Sequence, residues 1–291
     1  MLLPTHQGTT TSADGTVIAW QRFGAGAPLL FANGIGVDWR GLAGTVAALA
    51  ARHTVVTWDY RGVFGSGAPR ARGLGIEAHA EDGLAAARAA VGEVPLSLVG
   101  WSMGVQVAFA VALRCPEVVN ALVAIGGVPW SPFRAAVPLP GVGRIAAGAL
   151  SWAAPLGPLS PPALRRRVPP SWVYRGARAV GYIHPKTARE PFEEMARLAL
   201  GHDGRVYLQT LAALDDYDGR AALRGLQAPV LFVAGERDLA IRLKAVRAAS
   251  SYLPRSEVEI AAGCSHFPTL EDPARVHGQV LSFLERASGA R

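Results

Sequence analysis

A lone serine stands between two glycines in the stretch LVGWSMGVQ, residues 98–106. Gly100 and Gly104 lie two residues to either side of Ser102, a spacing typical of a nucleophile raised on a sharp turn between a strand and a helix. Glycine suits both positions because the strand and the helix must approach each other without a Cβ between them. The plain alternative is that Ser102 only caps the helix.

A serine hydroxyl becomes a good nucleophile when a base removes its proton, so the hypothesis requires a histidine and a carboxylate. Glu236 and Asp238 follow the apolar run APVLFVAG, and His266 follows the run SEVEIAAG. We favour Asp238 as the acid because it lies deeper in its loop, with Glu236 as a structural neighbour. The chain order of serine, acid and histidine predicts acyl transfer by Ser102, Asp238 and His266.

Acyl transfer also needs N–H donors directed at the oxyanion that develops. Met103, the residue after the serine, would supply one backbone N–H. The loop NGIGVDW, residues 33–39, follows another apolar run, and its small residues make the N–H of Ile35 the best second candidate. A plain strand-to-helix turn is the alternative. A dinucleotide-binding G-x-G-x-x-G is absent, because its third glycine would fall at Trp39.

The elements that must position these residues are short apolar runs rich in β-branched residues, alternating with Ala-rich stretches of helical spacing. This alternation extends from residue 16 to about 127 and returns from residue 228 onwards. It predicts an α/β fold whose sheet is buried on both faces. Because the candidate residues follow strands, we expect them to meet at the carboxyl ends of those strands.

Residues 129–217 differ from both flanks, being dense in Pro and Gly and lacking strand alternation. We interpret them as a helical cap inserted into a core formed by residues 1–128 and 218–291. The aromatic content of the cap favours a mostly apolar or aromatic substrate group, with packing inside the cap as the alternative. The candidate substrate-binding residues are Trp101, Trp130, Trp172, Tyr174 and Tyr182, and Trp152 belongs to the same aromatic set.

The composition is that of a globular chain, with 291 residues of which 50% are hydrophobic and 18% charged. The net charge of +7 does not predict nucleic-acid binding, because the arginines are spread along the chain. No apolar stretch approaches the ~20 residues of a membrane span. The two cysteines are too few for a disulfide framework, and no export signal is apparent. We therefore expect a soluble cytoplasmic protein without a metal site.

The glycine-rich stretch WDYRGVFGSGAP, residues 58–69, follows a further run that reads as a strand. We expect Asp59 and Arg61 to hold this loop by hydrogen bonds rather than to contact substrate.

Together these stretches resemble α/β-hydrolase fold serine hydrolases of the cap-bearing esterase, lactonase and cofactor-free perhydrolase type. NGIGVD resembles the oxyanion loop, DYRGVFGSG the D-x-R-G-x-G-x-S loop, GWSMG the nucleophile elbow, GERD the acid loop and GCSHFPTLEDP the histidine loop. The resemblance implies an eight-stranded, mostly parallel sheet with a cap after the sixth strand. It also implies an acyl-enzyme route without metal or organic cofactor. The expected partner is a small acyl substrate, and a homodimer is left open.

Two departures from the family pattern bear on the pocket. Asn33 stands where many relatives have histidine before the oxyanion glycine, and Val63 and Phe64 lengthen the D-x-R-G-x-G-x-S loop by one residue. Serine at position 102 argues against haloalkane dehalogenases and epoxide hydrolases, which have aspartate there. A carbon–carbon bond hydrolase, a perhydrolase or an acyltransferase would keep the same three residues. A non-catalytic ligand-binding protein on this fold is the more remote alternative.

Overall fold

The computed structural model describes residues 2–71, 73–131 and 165–289, and the strands in this part of the chain form one sheet. They are β1 (His6–Thr11), β2 (Val17–Phe23), β3 (Ala27–Ala32), β4 (His53–Trp58), β5 (Leu96–Trp101), β6 (Val119–Ile125), β7 (Val230–Gly235) and β8 (Ser256–Ala261). The order in the sheet is β1-β2-β4-β3-β5-β6-β7-β8. Within this sheet β2 alone runs opposite to the other seven strands, so its pairings with β1 and β4 are antiparallel and all other pairings are parallel. The predicted eight-stranded, mostly parallel sheet is confirmed.

Helices cover both faces of this sheet. They are α1 (Ala43–Ala50), α2 (Ile76–Val91), α3 (Met103–Arg114), α4 (Pro170–Ala179), α5 (Arg189–Leu200), α6 (Gly204–Asp216), α7 (Leu243–Ser251), α8 (Pro268–Glu271) and α9 (Pro273–Gly289), and 3₁₀ turns lie at Trp39–Leu42, Pro116–Val118 and Arg220–Gly225. None of these helices is both long and apolar enough to cross a membrane.

Alternate residues of the central strands feed two separate cores. In β5, Leu96 and Leu98 pack with α2 and α3 in one core, whereas Val99 and Trp101 pack with α1 and α9 in the other. Side chains alternate between the two faces of a strand, so each core lies on its own face of the sheet. Every residue of β5 and of β7 is buried, as expected for strands with helices on both sides. The residues that follow these two strands therefore start from rigid positions.

The helices α4 to α6 lie between β6 and β7 in the chain, and the two ends of this insertion are paired. Trp130 forms an antiparallel bridge with Asp218. The N–H of Gly219 donates to the carbonyl of Pro129 over 2.9 Å. Residues 132–164, including the predicted cap residue Trp152, lie outside the described residues. The division into a core and a cap at residues 129–217 therefore stays a prediction.

The loop after β4 is held by two buried charged side chains. Arg61 is fully buried and donates two hydrogen bonds of 2.7 Å to the carboxylate of Asp82 in α2, with a further bond of 2.9 Å to Asp14. Asp59 accepts a hydrogen bond of 2.9 Å from the N–H of Gly65. Both residues hold the loop, as the sequence indicated, because a buried charge needs such partners.

Asp59 also makes the stability of the protein depend on pH. Burial raises the pKa of its carboxyl from 3.8 to about 6, and the neighbouring carboxylate of Asp38 adds to the increase. The folded state therefore holds this proton more strongly than the unfolded chain does. The stabilising effect is complete below about pH 4 and is lost as the pH rises through about 6.

We expect Asp59→Asn to remove this dependence, because the amide oxygen still accepts from Gly65 but does not ionise. Relative to the variant, the wild-type free energy of unfolding should fall by up to about 3 kcal/mol between pH 4 and pH 7. Urea denaturation of both proteins at four pH values measures the difference. A difference that stays constant over this range would contradict the raised pKa.

Candidate active site

Ser102 sits on a strained turn between β5 and α3. Its backbone dihedrals are φ 56° and ψ −120°, in the left-handed range that residues other than glycine seldom adopt. Although it occupies the N-cap position, its side chain makes no capping hydrogen bond. The alternative that Ser102 serves only as a helix cap is therefore wrong. The turn holds the side chain clear of α3. Ser102 is half-buried in this position.

The two glycines of the motif allow the backbone segments to pack this closely. A methyl group on Gly104 would lie 2.0 Å from the carbonyl oxygen of Ala32 at the end of β3. A methyl group on Gly100 would meet the backbone of Gly104 itself. Since backbone cannot give way as a flexible side chain can, both positions require glycine.

The three residues predicted to act together form a continuous chain of hydrogen bonds. The Nε2 atom of His266 lies 3.0 Å from the Oγ atom of Ser102, and its Nδ1 atom lies 2.8 Å from Oδ2 of Asp238. The other carboxylate oxygen of Asp238 accepts from the N–H groups of Ala240 and Ile241, at 2.7 and 2.9 Å. Asp238 and His266 are both buried. The imidazole is therefore held between an acceptor and the serine hydroxyl.

The carboxylate that reaches the histidine is that of Asp238, and Glu236 points elsewhere. Glu236 is exposed and accepts a hydrogen bond of 2.8 Å from the N–H of Gly263. It thus acts as a structural neighbour, joining the acid loop to the start of the histidine loop. The N–H of Arg237 adds a second link, donating over 2.8 Å to the carbonyl of Cys264.

The candidate oxyanion donors are the backbone N–H groups of Met103 and Ile35. Met103 is the first residue of α3, so its N–H has no carbonyl partner one turn earlier in the helix. Ile35 lies in a turn just after β3 and is half-buried. The position of Met103 favours negative charge, because the N-terminal end of a helix is electropositive. The assignment of Ile35 and Met103 to the oxyanion hole stays a prediction.

Side chains from two other segments hold the loop that contains Ile35. The hydroxyl of Tyr60 donates to the carbonyl of Asn33 over 2.6 Å, and Nε2 of His202 donates to the carbonyl of Gly36 over 2.8 Å. Burial lowers the pKa of His202 below its ordinary value. The spacing of the sequence did not single out His202, because its partner lies 166 residues away in the chain.

The longer D-x-R-G-x-G-x-S loop also contacts His202, through Phe64. Phe64 adopts φ 50°, and its ring packs edge-on against the imidazole of His202 with ring centres 4.4 Å apart. The guanidinium of Arg40 lies 5.4 Å from the centre of the Phe64 ring. Phe64 therefore packs between Arg40 and His202, and the expected difference of this side of the pocket from that of the family stays a prediction.

The aromatic residues proposed to bind substrate occupy different surroundings. The Tyr182 ring lies 6.1 Å from the imidazole of His266, and the indole N–H of Trp101 donates to the carbonyl of His266 over 3.2 Å. By contrast, Trp172 is 60% exposed. Trp130 packs against Tyr252 and Arg220. The hydroxyl of Tyr174 donates a hydrogen bond to the carbonyl of Thr187. Contact of these five residues with substrate stays a prediction.

A metal-binding arrangement is not part of the described site. Across residues 2–71, 73–131 and 165–289, no group of three or more His, Cys, Asp or Glu side chains is placed to hold a metal ion.

Comparisons with known proteins show the family to which the chain belongs. The family model for the alpha/beta hydrolase family matches residues 29–279. The pimeloyl-[acyl-carrier protein] methyl ester esterase of Vibrio parahaemolyticus serotype O3:K6 is 26% identical over 275 residues, which cover 93% of this chain and 99% of that protein. A thermophilic esterase from Thermogutta terrifontis has a similar structure, with a TM-score of 0.76 at 20% identity, covering 97% of this chain and 99% of that one.

A second relative is much longer than this chain. The biotin biosynthesis bifunctional protein BioHC of Teredinibacter turnerae is 24% identical over 201 residues, which cover 65% of this chain. The match spans only 33% of that protein.

Two glycines at the second position of a helix allow a matched test of the elbow. A methyl group on Gly44 in α1 would meet nothing within 4 Å, whereas one on Gly104 would overlap the backbone of Ala32. We expect Gly104→Ala to lower the free energy of unfolding by at least about 3 kcal/mol or to prevent folding. Gly44→Ala should raise it by about 0.5–1 kcal/mol. Thermal unfolding of both variants distinguishes them, and similar midpoints would contradict the close packing.

Proposed function

Because the chain belongs to the alpha/beta hydrolase family, we propose that it is a serine hydrolase acting on an ester, lactone or related acyl bond of a small, mostly apolar substrate. The observation that carries this proposal is the placement of His266, whose two ring nitrogens lie 3.0 Å from the hydroxyl of Ser102 and 2.8 Å from the carboxylate of Asp238. The Vibrio relative and the Thermogutta protein are both named as esterases, which supports the choice of an ester bond.

In the first half of the proposed reaction, Nε2 of His266 takes the proton of Ser102 as Oγ attacks the acyl carbon. The carbonyl oxygen becomes negatively charged and is held by the N–H groups of Ile35 and Met103. The bond between the acyl carbon and the leaving oxygen then breaks. His266 gives the proton to that oxygen, and the acyl group remains bound to Ser102.

In the second half, water takes the place of the leaving alcohol. His266 removes a proton from the water as the water oxygen attacks the acyl carbon. The bond between Oγ of Ser102 and the acyl carbon then breaks, His266 returns the proton to Oγ, and the acid is released. Asp238 stabilises the imidazolium at each stage, and it can do so because the N–H groups of Ala240 and Ile241 already fix its other oxygen.

The surroundings of His266 support an apolar substrate group. The rings of Trp101, Tyr182 and Phe267 lie with their centres between 5.4 and 6.1 Å from that of the imidazole. These faces offer apolar contact beside the reacting atoms and few competing polar groups.

Replacement of the nucleophile tests the proposal directly. We expect Ser102→Ala to lower turnover of nitrophenyl esters and lactones by about 10⁴-fold or more, because the three residues act as a unit. A fluorophosphonate probe should label the wild type and not the variant. A panel of increasing acyl length would define the accepted chain length, with protein purified free of host esterases.

Three outcomes would change the assignment. If Ser102→Ala keeps most of the activity, the proposed nucleophile is wrong. If an added alcohol captures the acyl group in preference to water, the protein is an acyltransferase. If the wild type neither hydrolyses the panel nor reacts with the probe, ligand binding without catalysis is favoured.

The two carboxyl residues of the acid loop give a second test with an internal control. We expect Asp238→Asn to lower kcat by about 10³- to 10⁴-fold, because the imidazole loses the acceptor that holds its tautomer. Glu236→Gln should leave kcat within about threefold, since its carboxylate contacts only the turn at Gly263. Both are measured by steady-state kinetics on the preferred ester. Equal losses in the two variants would contradict the distinct role of Asp238.

A further inference from the structure

Glu271, the last residue of α8, joins two separate parts of the molecule. Its carboxylate accepts from the N–H and the hydroxyl of Ser265, the residue before His266, each over 2.6 Å. The same carboxylate accepts from the N–H of His184 over 3.0 Å and from the hydroxyl of Thr187 over 2.5 Å. His184 and Thr187 lie between α4 and α5, more than 80 residues earlier in the chain. Glu271 therefore links the histidine loop to the inserted helices.

The segment that contains His184 and Thr187, residues 182–188, is called the strap here. Its contact with the histidine loop continues beyond Glu271. The N–H of Ala188 donates to the carbonyl of Leu270 over 3.3 Å. At the opposite end of the strap, the Tyr182 ring lies 5.6 Å from the ring of Phe267. The strap thus contacts the histidine loop through an aromatic pair beside His266 and through hydrogen bonds at Glu271.

The hydrogen bonds to Glu271 constrain the orientation of the groups that donate them. Oε1 of Glu271 accepts from the hydroxyl of Ser265 and from the N–H of His184, while Oε2 accepts from the N–H of Ser265. Oε1 also shares the single hydroxyl proton of Thr187 with the carbonyl of His184, which lies 2.8 Å from that hydroxyl. An ionised carboxylate only accepts hydrogen bonds, so every donor must point towards it. Hydrogen bonds to charged acceptors are short and strong. A displacement of the strap would therefore disturb the hydrogen bonding of the residue next to His266.

The backbone of His266 is then held from both directions. Ser265 is fixed on one side by Glu271, and on the other side the carbonyl of His266 accepts from the indole N–H of Trp101 over 3.2 Å. We propose that Glu271 is a positioning residue, which aligns His266 with Ser102 only while the strap is seated on the histidine loop. The alignment of His266 for reaction rests on the proposed serine hydrolase function, whereas the linkage of strap and loop does not.

The kinetic test compares Glu271→Gln with Thr187→Val and with Glu236→Gln as the matched control. Thr187→Val removes the strap hydroxyl together with its bond to the carbonyl of His184. Glu236 accepts a backbone N–H at the start of the same loop but contacts Gly263 and not the strap. We expect kcat per active site, titrated with a fluorophosphonate, to fall about 10- to 100-fold in Glu271→Gln. Thr187→Val should show a smaller loss, and KM should change little in either variant.

The combined variant distinguishes positioning from general support of the fold. Because Thr187 acts through Glu271, adding Thr187→Val to Glu271→Gln should lower kcat by less than it does in the wild type. An unchanged kcat per titrated site with a lower unfolding temperature would overturn the proposal, as would a rise in KM alone. If Glu271→Gln does not fold, Thr187→Val and Ser265→Ala test the same link from its two sides.

Hydrogen exchange tests the linkage without any activity. In Glu271→Gln, amides of the strap and of residues 264–271 should exchange faster together, whereas Glu236→Gln should leave the strap unchanged. Unchanged exchange in the strap would overturn the proposed linkage. If Ser102→Ala retained activity, the proposed function would fail, and the exchange result would still decide whether Glu271 joins the two segments.

Discussion

The close approach of α3 to the ends of β3 and β5 is the constraint on which the site depends. Gly104 contacts the backbone of Ala32 so closely that no Cβ fits, and Ser102 is held at φ 56°. A residue in this conformation costs roughly 1–3 kcal/mol, so it persists only where its surroundings hold it. Residues 103–112 of α3 are all buried against the sheet and α2. This packing offsets the strain and raises the serine above the sheet.

The close packing of α3 also limits how Asp238 and His266 reach Ser102. Asp238 and His266 follow β7 and β8, and β6 lies between these strands and β5. The chain after β6 must therefore leave room, and it continues as Gly126 and Gly127. A methyl group on Gly126 would lie 3.3 Å from the carbonyl oxygen of His266, and one on Gly127 would lie 2.5 Å from the Cβ atom of Val105 in α3. Glycines beside the elbow thus allow the histidine loop to pass over β6 towards the serine.

The connections between the inserted helices contact two loops of the candidate site. His202 bonds the loop that contains Ile35, and Thr187 bonds Glu271 in the loop that contains His266. The inserted part therefore supports the candidate oxyanion loop and the histidine loop together. A change in the packing of the inserted segment would therefore be felt in both loops through these hydrogen bonds.

The sequence by itself determined the sheet, the elbow and the three residue types that meet there. These features follow from patterns a few residues long: strand alternation, the G-x-S-x-G spacing, and polar residues just after apolar runs. Only the tertiary structure decided that Asp238 reaches His266 while Glu236 turns away, and that Trp172 is exposed. It also revealed the contact of Glu271 with Thr187 across 84 residues and that of His202 with Gly36 across 166. Such contacts depend on how segments that are distant in the chain pack together, and the local spacing of residues in the sequence does not indicate this packing.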